Sequence, residues 1–291
     1  MKRFLVLLLT IVTVLSLTGC PRSSGKEDEP FSVELVQLPD LHTCPGAPGR
    51  PSSGFGEKPP ARGDNLHSHT AEKPDSSQSS IQLRTTGQMP YYLYTPANPQ
   101  KGMTLIIYLH GSSMRVSDVS LMLTNEGFPL YLQKGTFGDL RAYVAIPKID
   151  ESYRDWSEAG EQISEMIRMI QRDCGIDLDR VALTGHSLGG SGTWQLAIRL
   201  PGTFACIAPV SGGVACTDSN LSALARTRVW AFVGTADTVV DPQMSRDLVS
   251  ALQKMGASAK ITELKGATHR ESCRQAYTET DLMAWLVSCG K

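Results

Sequence analysis

Six apolar runs punctuate the C-terminal two thirds of the chain: Leu105 to Leu109, Tyr143 to Ile146, Val181 to Thr184, Cys206 to Val210, Val229 to Val233 and Ile261 to Leu264. Helical patterns precede or follow them, the plainest being Ile163, Met166, Ile167 and Ile170, which fall on one helix face. Alternation of this kind predicts an α/β fold built on a mainly parallel, twisted sheet with helices on both faces. Ligands of such sheets collect beyond the carboxyl ends of the strands, so residues just after each run are the first to inspect.

The pattern is different before residue 80. Lys2 and Arg3 are followed by an apolar stretch from Phe4 to Leu17, about 14 residues long and short for a bilayer-spanning helix, then by Leu17-Thr18-Gly19-Cys20. This reads as a signal peptide over residues 1–19, and its last four residues resemble the bacterial lipobox. That resemblance implies lipid on Cys20 and a mature protein tethered to the membrane of a bacterial cell envelope, outside the cytoplasm. Residues 20–79 are rich in Pro, Gly and Ser, with little periodicity, and read as a tether. Residues 80–291 are long enough for one domain with a substantial core.

Composition narrows the partners. A formal net charge of −1 gives no reason to expect nucleic acid, and neither metal-ligand spacing nor a cofactor-binding glycine motif is seen, so no cofactor and no metal are expected. Besides Cys20 there are Cys44, Cys174, Cys206, Cys216, Cys273 and Cys289, and an exported compartment permits disulfides. Cys273 and Cys289 flank an expected helix of about 13 residues, about 20 Å long, whereas bridged α-carbons lie within about 7 Å. Cys216 with Cys273, and Cys174 with Cys206, are the better pairings, with buried thiols as the alternative.

Candidate chemistry centres on Gly185-His186-Ser187-Leu188-Gly189, a Gly-x-Ser-x-Gly turn between an apolar run and a helical stretch. A serine hydroxyl is a poor nucleophile until a histidine accepts its proton and a carboxylate orients that histidine. Of the six histidines, His42, His67 and His69 lie in the polar N-terminal stretch, His186 sits inside the turn, and His110 ends an earlier strand. His269 remains, after the Ile261 to Leu264 run. The carboxylate is assigned to Asp237, directly after Val229 to Val233. Asp241, before Pro242, suits a helix N-cap, Asp218 is placed in a loop, and Asp281 inside the last helix. Backbone amides of Leu188 and of Ser112, in His110-Gly111-Ser112-Ser113, are expected to form an oxyanion hole. Trp156 and His110 are candidates for the substrate cleft, Trp156 with core packing as an equal alternative.

These residues resemble the α/β-hydrolase superfamily, whose members carry serine, acid and histidine in that order. The segment Gly185 to Trp194, continued by Ala197, Pro201, Phe204-Ala205 and Ala208 to Gly213, is similar to polyhydroxybutyrate depolymerases, feruloyl and acetylxylan esterases, and prolyl-oligopeptidase-like peptidases. Tyr91 to Pro96 resembles their opening strand. The likeness implies an α/β-hydrolase fold and attack by Ser187 on an ester, acyl or feruloyl and polymeric or small. About 17 residues separate Val210 from Arg228, which leaves no room for a large lid domain. A serine peptidase and a non-catalytic surface binding protein on the same fold stand as alternatives.

Overall fold

The computed structural model describes residues 77–124 and 127–290. Residues 1–19, most of the stretch read as a tether, and Cys20, Cys44, His42, His67 and His69 therefore lie outside the described residues.

Each central strand is buried on both faces, which is why each reads as a continuous apolar run instead of an alternating one. These strands are β3 (Leu105–Leu109), β4 (Tyr143–Pro147), β5 (Val181–His186), β6 (Cys206–Val210) and β7 (Arg228–Gly234), whereas β8 (Ala259–Leu264) is an edge strand buried only at Leu264. With β1 (Ser80–Thr86) and β2 (Met89–Thr95) they form one sheet in the order β1-β2-β4-β3-β5-β6-β7-β8. β1 and β2 pair antiparallel, as do β2 and β4, and every other pairing is parallel. The first strand escaped the sequence reading because at the sheet edge only Thr86 of its seven residues is buried.

Period-two geometry sorts the side chains into two cores. Leu105, Ile107, Leu109, Val181, Leu183, Ile207, Val229 and Ala231 point to one face. There they meet the buried stripes of α2 (Gly160–Cys174), α3 (Leu188–Arg199), α4 (Asp218–Leu224) and α5 (Pro242–Lys254). Ile106, Tyr108, Val144, Ala182, Cys206, Ala208 and Phe232 point to the other face, toward α1 (Phe128–Gln133), α6 (His269–Thr278) and α7 (Leu282–Val287). Local signals set the helix ends. Gly175, at φ 66°, supplies the left-handed turn that closes α2. Asp241 accepts from the Gln243 amide at 2.9 Å, with Pro242 next, and so starts α5.

Several expectations are corrected. The last helix is two, α6 and α7, because Glu279 to Asp281 interrupt it. Asp281 is accordingly the N-cap of α7 and not a mid-helix residue. Asp218 lies at the start of α4, whose preceding Thr217 takes the Asn220 amide, and not in a loop. α4 fills the link from β6 to β7, and no lid domain is inserted there.

The disulfide joins Cys206 to Cys289, with α-carbons 6.0 Å apart. Both expected pairings are therefore wrong, for a reason of faces. Cys206 projects into the core covered by α6 and α7, whereas Cys174 ends α2 and packs against the other core, so the sheet stands between them. Cys216 is exposed after β6, while Cys273 is buried within α6 beside Tyr108. The objection to pairing Cys273 with Cys289 holds, but Cys289 finds its partner at the start of β6.

Candidate active site

Ser187 is held at the carboxyl end of the central strand by a strained turn. Its backbone sits at φ 62°, ψ −119°, a region that non-glycine residues avoid, between β5 and α3. Its amide donates to Val210 O at 3.1 Å, and its carbonyl accepts the Ser191 amide at 2.9 Å, so the strain is anchored on the neighbouring strand and the helix. The glycine two residues on is a matter of space. A Cβ on Gly189 would come to 1.9 Å from Leu109 O, so only glycine lets α3 start this close to β3.

His269 begins α6. Thr268 is the N-cap, with a capping box to Glu271, whose side chain takes the Thr268 amide at 2.9 Å. The two loops that carry the acid and the histidine are tied together, since Ala236 N donates to Ala267 O at 3.0 Å. As a result His269 Nε2 lies 2.8 Å from Ser187 Oγ and its Nδ1 lies 2.8 Å from Asp237 Oδ2. The second oxygen of Asp237 accepts the amides of Val239 at 2.9 Å and Val240 at 3.0 Å. Burial by itself would raise the Asp237 pKa. The Val240 amide, the His269 ring and the Val239 amide outweigh it and hold the carboxyl below the ordinary range. Nδ1 must then carry the proton given to the carboxylate, which leaves Nε2 free to accept from the serine hydroxyl.

The strand-end loop after β3 closes on the same spot. Built on Gly111, a Cβ would lie 3.7 Å from the Ser187 Cβ, so this segment flanks Ser187 directly. Ser112 opens a 3₁₀ turn and Leu188 opens α3. The first amides of such turns have no carbonyl within the turn to donate to, so both can face an incoming oxygen.

Trp156 does not line a cleft. It is 0% exposed, packs in the core, and donates Nε1 to His110 O at 3.1 Å. His110 borders a cavity of about 540 Å³, but its ring is committed: Nδ1 donates to Gly111 O at 2.8 Å and Nε2 accepts the Ile149 amide at 3.2 Å. Burial, the chief cause, lowers its pKa to about 4, so the ring braces the loop in neutral form. The cavity wall comes from Tyr108, Gly111, Met114, Met122, Pro129 and His186. Most of these belong to the irregular stretch after β3, which carries no periodic signal. His186, passed over as a base, was missed as a neighbour of His269, although its place beside the nucleophile was a usable clue.

Comparison with known proteins agrees with this architecture. Residues 139–279, which hold Ser187, Asp237 and His269, match the phospholipase/carboxylesterase family model. The fold is that of the α/β-hydrolases. Among α/β-hydrolases of known structure, a thermostable esterase superposes with a TM-score of 0.62 at 23% identity, over 75% of this chain and 64% of that one. The feruloyl esterase module of Clostridium thermocellum superposes with a TM-score of 0.54 at 13% identity, over 72% of this chain and 88% of that one. A bifunctional acetylxylan esterase/xylanase of Neocallimastix patriciarum is 25% identical over 126 residues, 42% of this chain. This chain covers only 17% of that relative's length.

Proposed function

We propose that this α/β-hydrolase is a serine carboxylesterase working through an acyl-enzyme. One observation carries the reading: Ser187, His269 and Asp237 stand in a single hydrogen-bonded line, 2.8 Å at each link. Ser187 Oγ attacks the ester carbonyl as His269 Nε2 takes its proton, and Asp237 holds the ring and stabilises the imidazolium. The carbonyl oxygen becomes an oxyanion facing the Ser112 and Leu188 amides. His269 then protonates the leaving alcohol, and water activated by the same ring hydrolyses the acyl-serine.

The absence of a lid between β6 and β7 supports an open site suited to esters on bulky or polymeric carriers, acetyl or feruloyl groups among them. The relatives that act as acetylxylan and feruloyl esterases support the same substrate class. We also place the mature protein outside the cytoplasm, anchored through lipid on Cys20. The sequence around Cys20 supports this, as does the Cys206–Cys289 disulfide, a bond that persists in oxidising compartments.

A fluorophosphonate probe, followed by mass spectrometry of the adduct, tests the chemistry. Labelling of Ser187 that disappears in Ser187→Ala and His269→Ala is expected, together with turnover of nitrophenyl acetate. Faster cleavage of aminoacyl anilides than of esters would make the protein a peptidase instead. Absence of label in a folded protein would rule out the hydrolase reading.

A further inference from the structure

His186 precedes the nucleophile and takes no part in the relay. Its Nε2 nevertheless lies 2.8 Å from the backbone carbonyl of His269, and the two rings are tilted by 39° with centroids 4.7 Å apart. A carbonyl can only accept, so Nε2 of His186 carries the proton, and because burial keeps the ring neutral, Nδ1 does not. The same carbonyl accepts Ser272 Oγ at 2.8 Å. Ser272 spends its hydroxyl hydrogen there, so in its 2.6 Å contact with Ser211 Oγ it is the acceptor. The proton order is thereby fixed along one chain, from Ser211 to Ser272 to the His269 carbonyl, with His186 donating from the opposite side. Ser211 and Ser272 are buried, and Ser211 adopts a left-handed φ of 46°.

We propose that His186 is a positioning residue. It acts as a neutral Nε2–H donor that, together with Ser272, pins the main chain of His269 and so fixes the imidazole between Ser187 and Asp237. The inference rests on the functional reading above. Two features make the arrangement more than packing. His269 is the first residue of α6, where no preceding helical turn restrains it. Its amide has no helical carbonyl to donate to, and the two side-chain donors on its carbonyl add a restraint beyond what α6 itself provides. The two donors come from separate elements, and the one from His186 in β5 ties the nucleophile's turn to the histidine's helix, α6.

The test compares His186→Leu, His186→Gln and Ser272→Ala in the full chain, with nitrophenyl acetate as substrate. Gln places an amide donor at the reach of Nε2, and Leu removes the donor. For His186→Leu we expect kcat to fall about 10- to 100-fold with KM within about twofold, as misplacement of a catalytic group by an ångström does. His186→Gln should recover most of that loss, and Ser272→Ala should lose less than His186→Leu. A second readout does not depend on turnover. With ring-¹⁵N histidine, His186 should appear as the Nε2–H tautomer at pH 7. The His269 Nδ1 proton should exchange faster in His186→Leu and at the wild-type rate in His186→Gln.

A His186→Leu protein with wild-type kcat and exchange would overturn the proposal. So would equal losses in Leu and Gln variants that melt at the wild-type temperature. A wild-type chain that turns over no ester yet shows the expected tautomer and exchange pattern would defeat the esterase reading and leave the positioning role standing.

Discussion

Asp237 is the residue whose chemistry is most exposed to a small change. Its side chain is fully buried, both oxygens are engaged, and only one faces His269. Asp237→Asn keeps the shape but offers either an amide donor or a neutral carbonyl to Nδ1. A donor there would force the proton onto Nε2, the wrong tautomer for accepting from Ser187. We expect kcat on nitrophenyl acetate to drop by about 10³-fold or more with little change in KM, while the thermal midpoint shifts only slightly. A variant within tenfold of wild type would mean that another group orients His269. The carboxylate was legible in the sequence because Asp241 had a competing structural use, and the observed capping of α5 by Asp241 is that use. His186 was not legible in its positioning role. That role depends on a backbone carbonyl 83 residues away, and no local pattern announces such a contact.

At the scale of elements, the strand runs read correctly because burial on both faces forces continuous apolarity, whereas β1 and the stretch from Ser112 to Gln133 lack such forcing. Helix breaks were harder, since the gap between α6 and α7 contains neither Gly nor Pro to mark it. The glycines after Ser187 are a different case: they encode how closely α3 can pack. A Cβ on Gly192 would approach the Trp156 Cδ1 to 2.5 Å, and Trp156 is itself hydrogen-bonded to His110 O. Gly192→Ala must therefore push the indole against the loop that carries Ser112. Overpacking of this order costs about 1–3 kcal/mol, although alanine favours a helix interior over glycine by about 1 kcal/mol. Urea unfolding should show net destabilisation, accompanied by a loss of kcat larger than the stability change alone would give. An unchanged or raised midpoint would show that the indole moves without strain.

For the molecule as a whole, the cross-link and the buried histidines set different limits. Cys206–Cys289 closes a loop with a sequence separation of 83 and fastens the end of α7 to the start of β6. Nearby, the Val287 carbonyl accepts Thr104 Oγ1 at 2.7 Å and Arg180 Nη2 at 3.1 Å. Removing the bridge by Cys289→Ser should cost about 2–5 kcal/mol, and a reducing agent should lower the melting temperature of wild type but not of the variant. Acid acts elsewhere. His110 and His186 both have pKa values near 4 in the fold, chiefly through burial, against about 6.5 for an unperturbed ring. Below about pH 6.5 the unfolded chain takes up protons that the native state refuses, so the free energy of unfolding falls as pH drops. The fall continues to about pH 4, where the native rings also protonate, and then levels off. Each ring contributes at most about 3 kcal/mol across this window. Asp237 acts in the same direction at lower pH: its lowered pKa stabilises the fold above the unfolded carboxyl value, and that share is lost as pH falls from there through the folded one. Unfolding in urea at pH 7 and at pH 4.5 should therefore show a large loss for wild type. His110→Gln keeps an acceptor for the Ile149 amide but cannot titrate, so its loss between the two pH values should be roughly half as large. Equal losses in both proteins would show that the His110 ring is not what makes the fold sensitive to acid.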